Sequence, residues 1–181
     1  MIDDKFKELQ TERLILRKIN LDDAIMIFNN IYNNFEWYKF YYQKPFNNFE
    51  EYKQLVSKYK EWYSNGNHFR WEIVEKSSRK MIGLVQLHSK DDLNNNCKIG
   101  YIIGYQYNKK GYTKEAVKEV INFVFNILEY HRIEADIVEE NTDSIKLAES
   151  LGMRFESIKR ECYKLEDQYY NQKVYVLLNR K

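Results

Sequence analysis

A chain of 181 residues with 29 lysines and arginines against 27 acids carries a net charge of +2. That balance gives no general attraction to nucleic acid or acidic membranes, so any anion site must be local. The two cysteines, Cys97 and Cys162, fit neither a disulfide framework nor a zinc site, and both are expected to be buried and structural.

The opening MIDDKFKELQ is polar and acidic, without the apolar region of a signal peptide. No stretch approaches the roughly 20 apolar residues of a membrane helix, so a soluble, cytoplasmic protein is expected. The run 13–19, RLILRKI, reads as the first strand. Asn20 then caps a helix whose first turn carries Asp22 and Asp23, with Ala24, Ile27, Phe28 and Ile31 on its buried face. The segment 35–42, FEWYKFYY, is unusually aromatic; it reads as core packing, a pocket wall or a dimer contact. A second helix spans 48–64 and ends at Asn65-Gly66-Asn67.

Strands at 69–75 and 80–89 form a hairpin, a polar loop covers 91–96, and another strand spans 97–103. The next segment unites three features. A β-branched run gives way to a loop with Lys109, Lys110 and Gly111, and the loop opens a strongly amphipathic helix over 113–129. The first N–H groups of a helix have no partner within it, and the helix dipole adds partial positive charge there. A strand, a basic glycine-bearing turn and a helix N-terminus together read as a phosphate-holding arrangement or as an ordinary strand–loop–helix connection with solvated lysines. A strand at 133–138 and a helix at 141–151 follow, with Gly152 as its C-terminal stop. Strands at 155–165 and 169–179 close the chain as a hairpin around Glu166-Asp167-Gln168. One domain, 1–181, is expected. Hairpins mixed with strand–helix–strand units indicate an α/β (α+β) fold with a mixed sheet.

Three segments carry a resemblance: TERLILRK, IGYIIGYQYNKKGYTKEA and RIEADIVEENTDSIKLAESLGM. In that order they resemble the GNAT superfamily of N-acetyltransferases, and most closely its ribosomal-protein N-terminal (serine/alanine) acetyltransferase branch. The resemblance implies a mostly antiparallel sheet of six to seven strands with a central splay, flanked by about four helices. It implies acetyl-CoA as cosubstrate, with no metal. The pyrophosphate would lie on Asn108, Lys109, Lys110, Gly111, Tyr112 and Thr113. The pantetheine arm would lie along Ile102, Ile103 and Gly104, with Asn141 reaching it. A glycine usually stands where Lys109 is, so either Lys109 adopts the loop conformation at some cost or the loop shifts slightly.

Direct transfer needs amine deprotonation, oxyanion stabilisation and thiolate protonation. A backbone N–H near Ile103 would serve the oxyanion. The tyrosine that many family members use as acid is replaced by Ala148. Ser144 matches a serine of the branch and is the candidate for binding or protonating the sulfur. Glu36, Glu72 and His88 are the candidates for the base. The acceptor is an amine: a protein N-terminus by the branch resemblance, or a small molecule such as a polyamine or aminoglycoside. A non-catalytic CoA-binding module is the alternative outside enzymes. No nucleic-acid or membrane partner is expected, and the protein would be a monomer or homodimer.

Overall fold

The computed structural model describes residues 6–32, 39–41, 46, 48–64 and 69–180. Contacts group the chain into two units, Met1–Leu87 with Tyr101–Val120, and His88–Gly100 with Ile121–Lys181.

In the first unit, β1 (Leu9–Gln10) and β2 (Leu14–Lys18) pair antiparallel, and β2 pairs antiparallel with β3 (Phe69–Glu75). β3 pairs antiparallel with β4 (Met81–Asp91), the expected hairpin. Leu14 and Leu16 alternate into the core and are fully buried, as are Trp71 and Ile73. Each such aliphatic side chain stabilises the fold by about 1.5–3 kcal/mol. Between β2 and β3 lie α1 (Ala24–Ile27) and α2 (Phe49–Ser64). Asn48 caps α2, its Oδ1 accepting from Glu51 N at 3.0 Å.

The expected helix after Asn20 is broken into three. Asn20 caps a 3-10 turn, Leu21–Asp23, accepting from Asp22 N, and α1 follows. A π turn, Phe28–Tyr32, then widens the coil. The widened turn sets Asn30 against the sheet. Its Nδ2 donates to Met81 O at 3.4 Å, and its Oδ1 accepts from Gln106 Nε2 at 3.2 Å. Such π turns are short insertions often found at functional sites.

Strand β5 (Asn96–Ile103) and helix α3 (Tyr112–Asn126) run from one unit into the other, as does β4. Gly83 of β4 faces the backbone at the end of β5: an added Cβ would sit 2.6 Å from Ile102 O. α3 stops three residues before the expected end. Leu128 N bonds Phe123 O at 3.2 Å, Tyr130 N bonds Val124 O at 3.1 Å, and Glu129 turns left-handed at φ 57°. This is the C-cap geometry usually supplied by glycine.

In the second unit, β5 pairs parallel with β6 (Arg132–Val138) over Asn96–Lys98 and Arg132–Glu134. β6 pairs antiparallel with β8 (Gln168–Leu178), which pairs antiparallel with β7 (Arg154–Leu165). Ile133, Ala135 and Ile137 of β6 are buried, while Arg132, Glu134 and Asp136 alternate outward. Asp136 accepts from Lys98 at 2.6 Å and Lys159 at 2.9 Å. Helix α4 (Thr142–Ser150) ends as expected at Gly152, where Met153 N bonds Ala148 O at 3.1 Å.

The described residues therefore hold eight strands and four α-helices, one strand more than expected. The addition is β1, two residues long and too short to show a hydrophobic period. Cys97 is buried, and burial pushes its thiol up to about 12. Cys162 departs from expectation. It is exposed, its Sγ donating to Lys159 O at 3.3 Å on a strand whose residues mostly face solvent. Among the described residues no helix is long and apolar enough to cross a membrane.

Candidate functional site

In the first unit, β5 ends in the buried Ile102 and Ile103, and the buried Gly104 follows. Gly104 N bonds Ile82 O at 2.7 Å, which ties the end of β5 to β4. A 3-10 turn, Tyr105–Tyr107, leads into the basic loop. Asn108 Oδ1 accepts from Lys109 N at 2.9 Å. Lys109 has φ 60° and Gly111 φ 82°, so two residues near the left-handed region flank Lys110. Lys109, Lys110 and Gly111 are exposed, and α3 starts at Tyr112. Glu115 N bonds Gly111 O at 3.1 Å. The preceding N–H groups of the first turn have no acceptor within the helix.

These features fit a pyrophosphate. Gly111 presents its backbone without a side chain, and an added Cβ would come within 3.4 Å of Arg13 Nη2. Helix N–H groups and two mobile cations stand on the same loop. Among the described residues there is no group of three or more His, Cys, Asp or Glu that could hold an ion.

The residues bracing this loop escaped the sequence reading. Arg13, at the entrance to β2, donates from Nε to Glu115 Oε2 at 2.7 Å and from Nη1 to Lys110 O at 3.2 Å. Its guanidinium lies over the Tyr112 ring, 4.5 Å from the centroid. Thr11 Oγ1 donates to Glu115 Oε1 at 2.5 Å. Burial pushes the Glu115 carboxyl up, but these bonds and that from Arg13 N outweigh it and hold it below the usual range. Tyr112 donates its hydroxyl hydrogen bond to Glu75. The signal was present in the TER of TERLILRK, but its partners lie about a hundred residues away.

In the second unit, Asn141 is the N-cap of α4, and its Oδ1 accepts from Ser144 N at 3.2 Å. The sequence thus brings Asn141 and Ser144 together through a helix cap. The Nδ2 donors of Asn141 are not used in that bond. Ser144 is half-exposed, and Ala148, one turn on, is fully buried.

The base candidates fare differently. Glu36 lies outside the described residues. His88 is half-exposed, with Nδ1 3.1 Å from Ser89 Oγ. Glu72 is fully buried, paired through Oε1 with Arg17 Nε at 2.6 Å, while Oε2 accepts from Asn20 N at 3.4 Å. Arg17 also holds Asp23 at 2.5 Å. Burial, and then the nearby Asp23, push Glu72 up to about 8 against the pull of Arg17. A carboxylate with both oxygens engaged and no exposed surface is poorly placed to take a proton from an incoming amine. Next to it, Arg70 is buried too, donating to Tyr59 and, at 3.1 Å, to Tyr41.

The acetyltransferase (GNAT) domain family matches residues 13–154. The chain belongs to the GNAT acetyltransferase family. It is 31% identical over 172 residues to the uncharacterized N-acetyltransferase p20 of Bacillus licheniformis, covering 95% of this chain and 96% of that one. A structure of a putative ribosomal-protein-serine acetyltransferase from Vibrio cholerae superposes with TM-score 0.83 at 24% identity, over 96% of this chain and 98% of that one. A spermidine N-acetyltransferase from Vibrio cholerae, in complex with CoA and spermine, gives 0.81 at 23%, over 93% and 96%. This GNAT protein is an acetyl-CoA-dependent N-acetyltransferase with the family's mixed α/β fold.

Proposed function

We propose that this enzyme acetylates a protein N-terminal α-amine in the cytoplasm. One observation carries the choice of acceptor. Among the described residues, the buried ionisable side chains of β3 are Arg70 and Glu72, and Glu72 shares the Arg17 guanidinium with Asp23. Among the described residues these two acids are matched by two arginines and offer a polycation no surplus of negative charge, whereas a polyamine calls for an acidic pocket. An α-amine, with pKa near 7.7–8.0 against about 10.4 for lysine, also needs less help from a base. The relatives include both kinds of enzyme, and the ribosomal-protein likeness agrees with this reading.

The donor would be held by Asn108, Lys109, Lys110, Gly111, Tyr112 and Thr113 at its pyrophosphate, and by Ile102, Ile103, Gly104 and the Asn141 carboxamide along its arm. Acetyl-CoA supplies the thioester carbonyl that the amine attacks. Ser144 donates a hydrogen bond to the sulfur as it leaves, and a backbone N–H near Ile103 stabilises the oxyanion. An α-amine of that pKa can pass its proton to solvent water, without the buried Glu72.

Free-thiol release separates the acceptors. Peptides with N-terminal serine or alanine should give kcat/KM values at least about tenfold above that for spermidine, a difference of about 1.4 kcal/mol. Faster turnover of spermidine than of every peptide would reverse the assignment.

A further inference from the structure

We infer that Arg13 is a positioning residue for the donor loop, holding a strained backbone in its ligand-ready shape. The inference rests on the loop being the CoA pyrophosphate site. Two residues of the loop have positive φ, Lys109 at 60° and Gly111 at 82°. Glycine adopts such angles freely, but a lysine there is disfavoured by roughly 1–2 kcal/mol. A strained residue persists only where its surroundings over-determine it. The group between the two positive-φ residues is the Lys110 carbonyl, and Arg13 Nη1 donates to it at 3.2 Å.

Arg13 is itself held on two further sides. Glu115 accepts from its Nε and its Nη2, at 2.7 and 2.6 Å, and the Tyr112 ring lies under its plane. Glu115 is fixed in turn by Thr11 Oγ1 and Arg13 N, at 2.5 and 2.9 Å. The entrance to β2 is thereby joined to the first turn of α3, with the loop carbonyl between them. A planar fork suits this work, since it makes several directed bonds at once. An ammonium group would reach one or two of the partners.

A phosphate-binding cation and a loop brace make opposite predictions. Both lose affinity when Arg13 becomes Gln. With Lys109→Gly as the reference, which has already lost the Lys109 charge, a brace makes Arg13→Gln nearly harmless, because glycine needs no holding at that angle. A cation site loses as much in that background as in wild type, because the same Arg13 charge is removed in both. The test is calorimetric titration with CoA at about 0.3 M salt, where screening has discounted exposed charges. Melting temperature, acetyl-CoA KM, acceptor KM and kcat are measured alongside.

Arg13→Gln should raise the CoA Kd and acetyl-CoA KM about tenfold, with kcat and acceptor KM unchanged. Arg13→Lys should recover only part of that loss, and in the Lys109→Gly background Arg13→Gln should cost less than threefold. A CoA Kd within twofold of wild type in folded Arg13→Gln would overturn the inference. Full affinity in Arg13→Lys, or a cost of Arg13→Gln as large in the Lys109→Gly background as in wild type, would overturn it equally, since either result describes a point charge. Failure of the wild-type enzyme to bind CoA through this loop would instead overturn the site assignment beneath it.

Discussion

Ser144 and Glu72 are the two side chains on which chemistry and burial can be separated. If Ser144 assists the departing sulfur, its interaction grows only as the C–S bond breaks. Ser144→Ala should therefore lower kcat and kcat/KM together, by about 10²-fold, with the CoA Kd little changed. Near-normal kcat with chemistry rate-limiting would move the acid elsewhere, to a tyrosine such as Tyr163 or to water. Glu72 is testable through stability. Burial raises its pKa from 4.5 to about 8, so the folded state holds that proton more tightly than the unfolded chain. The resulting stabilisation is complete below about 4.5 and is lost as pH rises through about 8. The slope across that window is on the order of 1 kcal/mol per pH unit at most. Thermal melts between about pH 6 and 9 should show wild type losing stability, with a flatter profile in Glu72→Gln. Parallel profiles would place the titration elsewhere. Activity retained in Glu72→Gln within about threefold agrees with a water-assisted proton removal, whereas a loss near 10³-fold would restore Glu72 as the base.

At the scale of elements, Asn141 serves a helix and, by the proposal, a ligand. The two roles use different atoms. Oδ1 caps α4 through Ser144 N, and by the proposal Nδ2 reaches the pantetheine arm. Asn141→Asp keeps an acceptor for the cap, so its melting temperature should stay near wild type. Asn141→Ala should lose about 1 kcal/mol of stability. Both should raise the acetyl-CoA KM. A normal KM in Asn141→Asp would leave the residue as a cap alone. The elements were largely legible in the sequence because each carried its own local signal. β3 was expected at 69–75 and is found at Phe69–Glu75. The stop of α4 was readable from Gly152, which adopts φ 84°. What was not legible depended on tertiary contacts. The π turn at Phe28–Tyr32 answers to Met81 and Gln106, distant in sequence. The Arg13 brace joins residues 102 positions apart, and no period or spacing reveals it. The extra length expected for α3 followed a good apolar pattern through Ile127 and Leu128, which the left-handed Glu129 cuts short.

Across the whole molecule, a net charge of +2 means that anion binding depends on where cations and N–H groups are placed. The loop belongs to the first unit, and Asn141 and Ser144 belong to the second, so each contribution can be tested separately. The central claim is that the loop 108–113 holds the CoA pyrophosphate. Its most direct test is calorimetric titration of CoA into wild-type and Gly111→Val protein, with circular dichroism and melting curves confirming that the variant is folded. At Gly111, where φ is 82°, a β-branched side chain is both strained and in the way of a phosphate. The account predicts tight binding to wild type and a loss of at least about 100-fold in folded Gly111→Val, some 2.7 kcal/mol. Equal CoA affinity in the two folded proteins would contradict it.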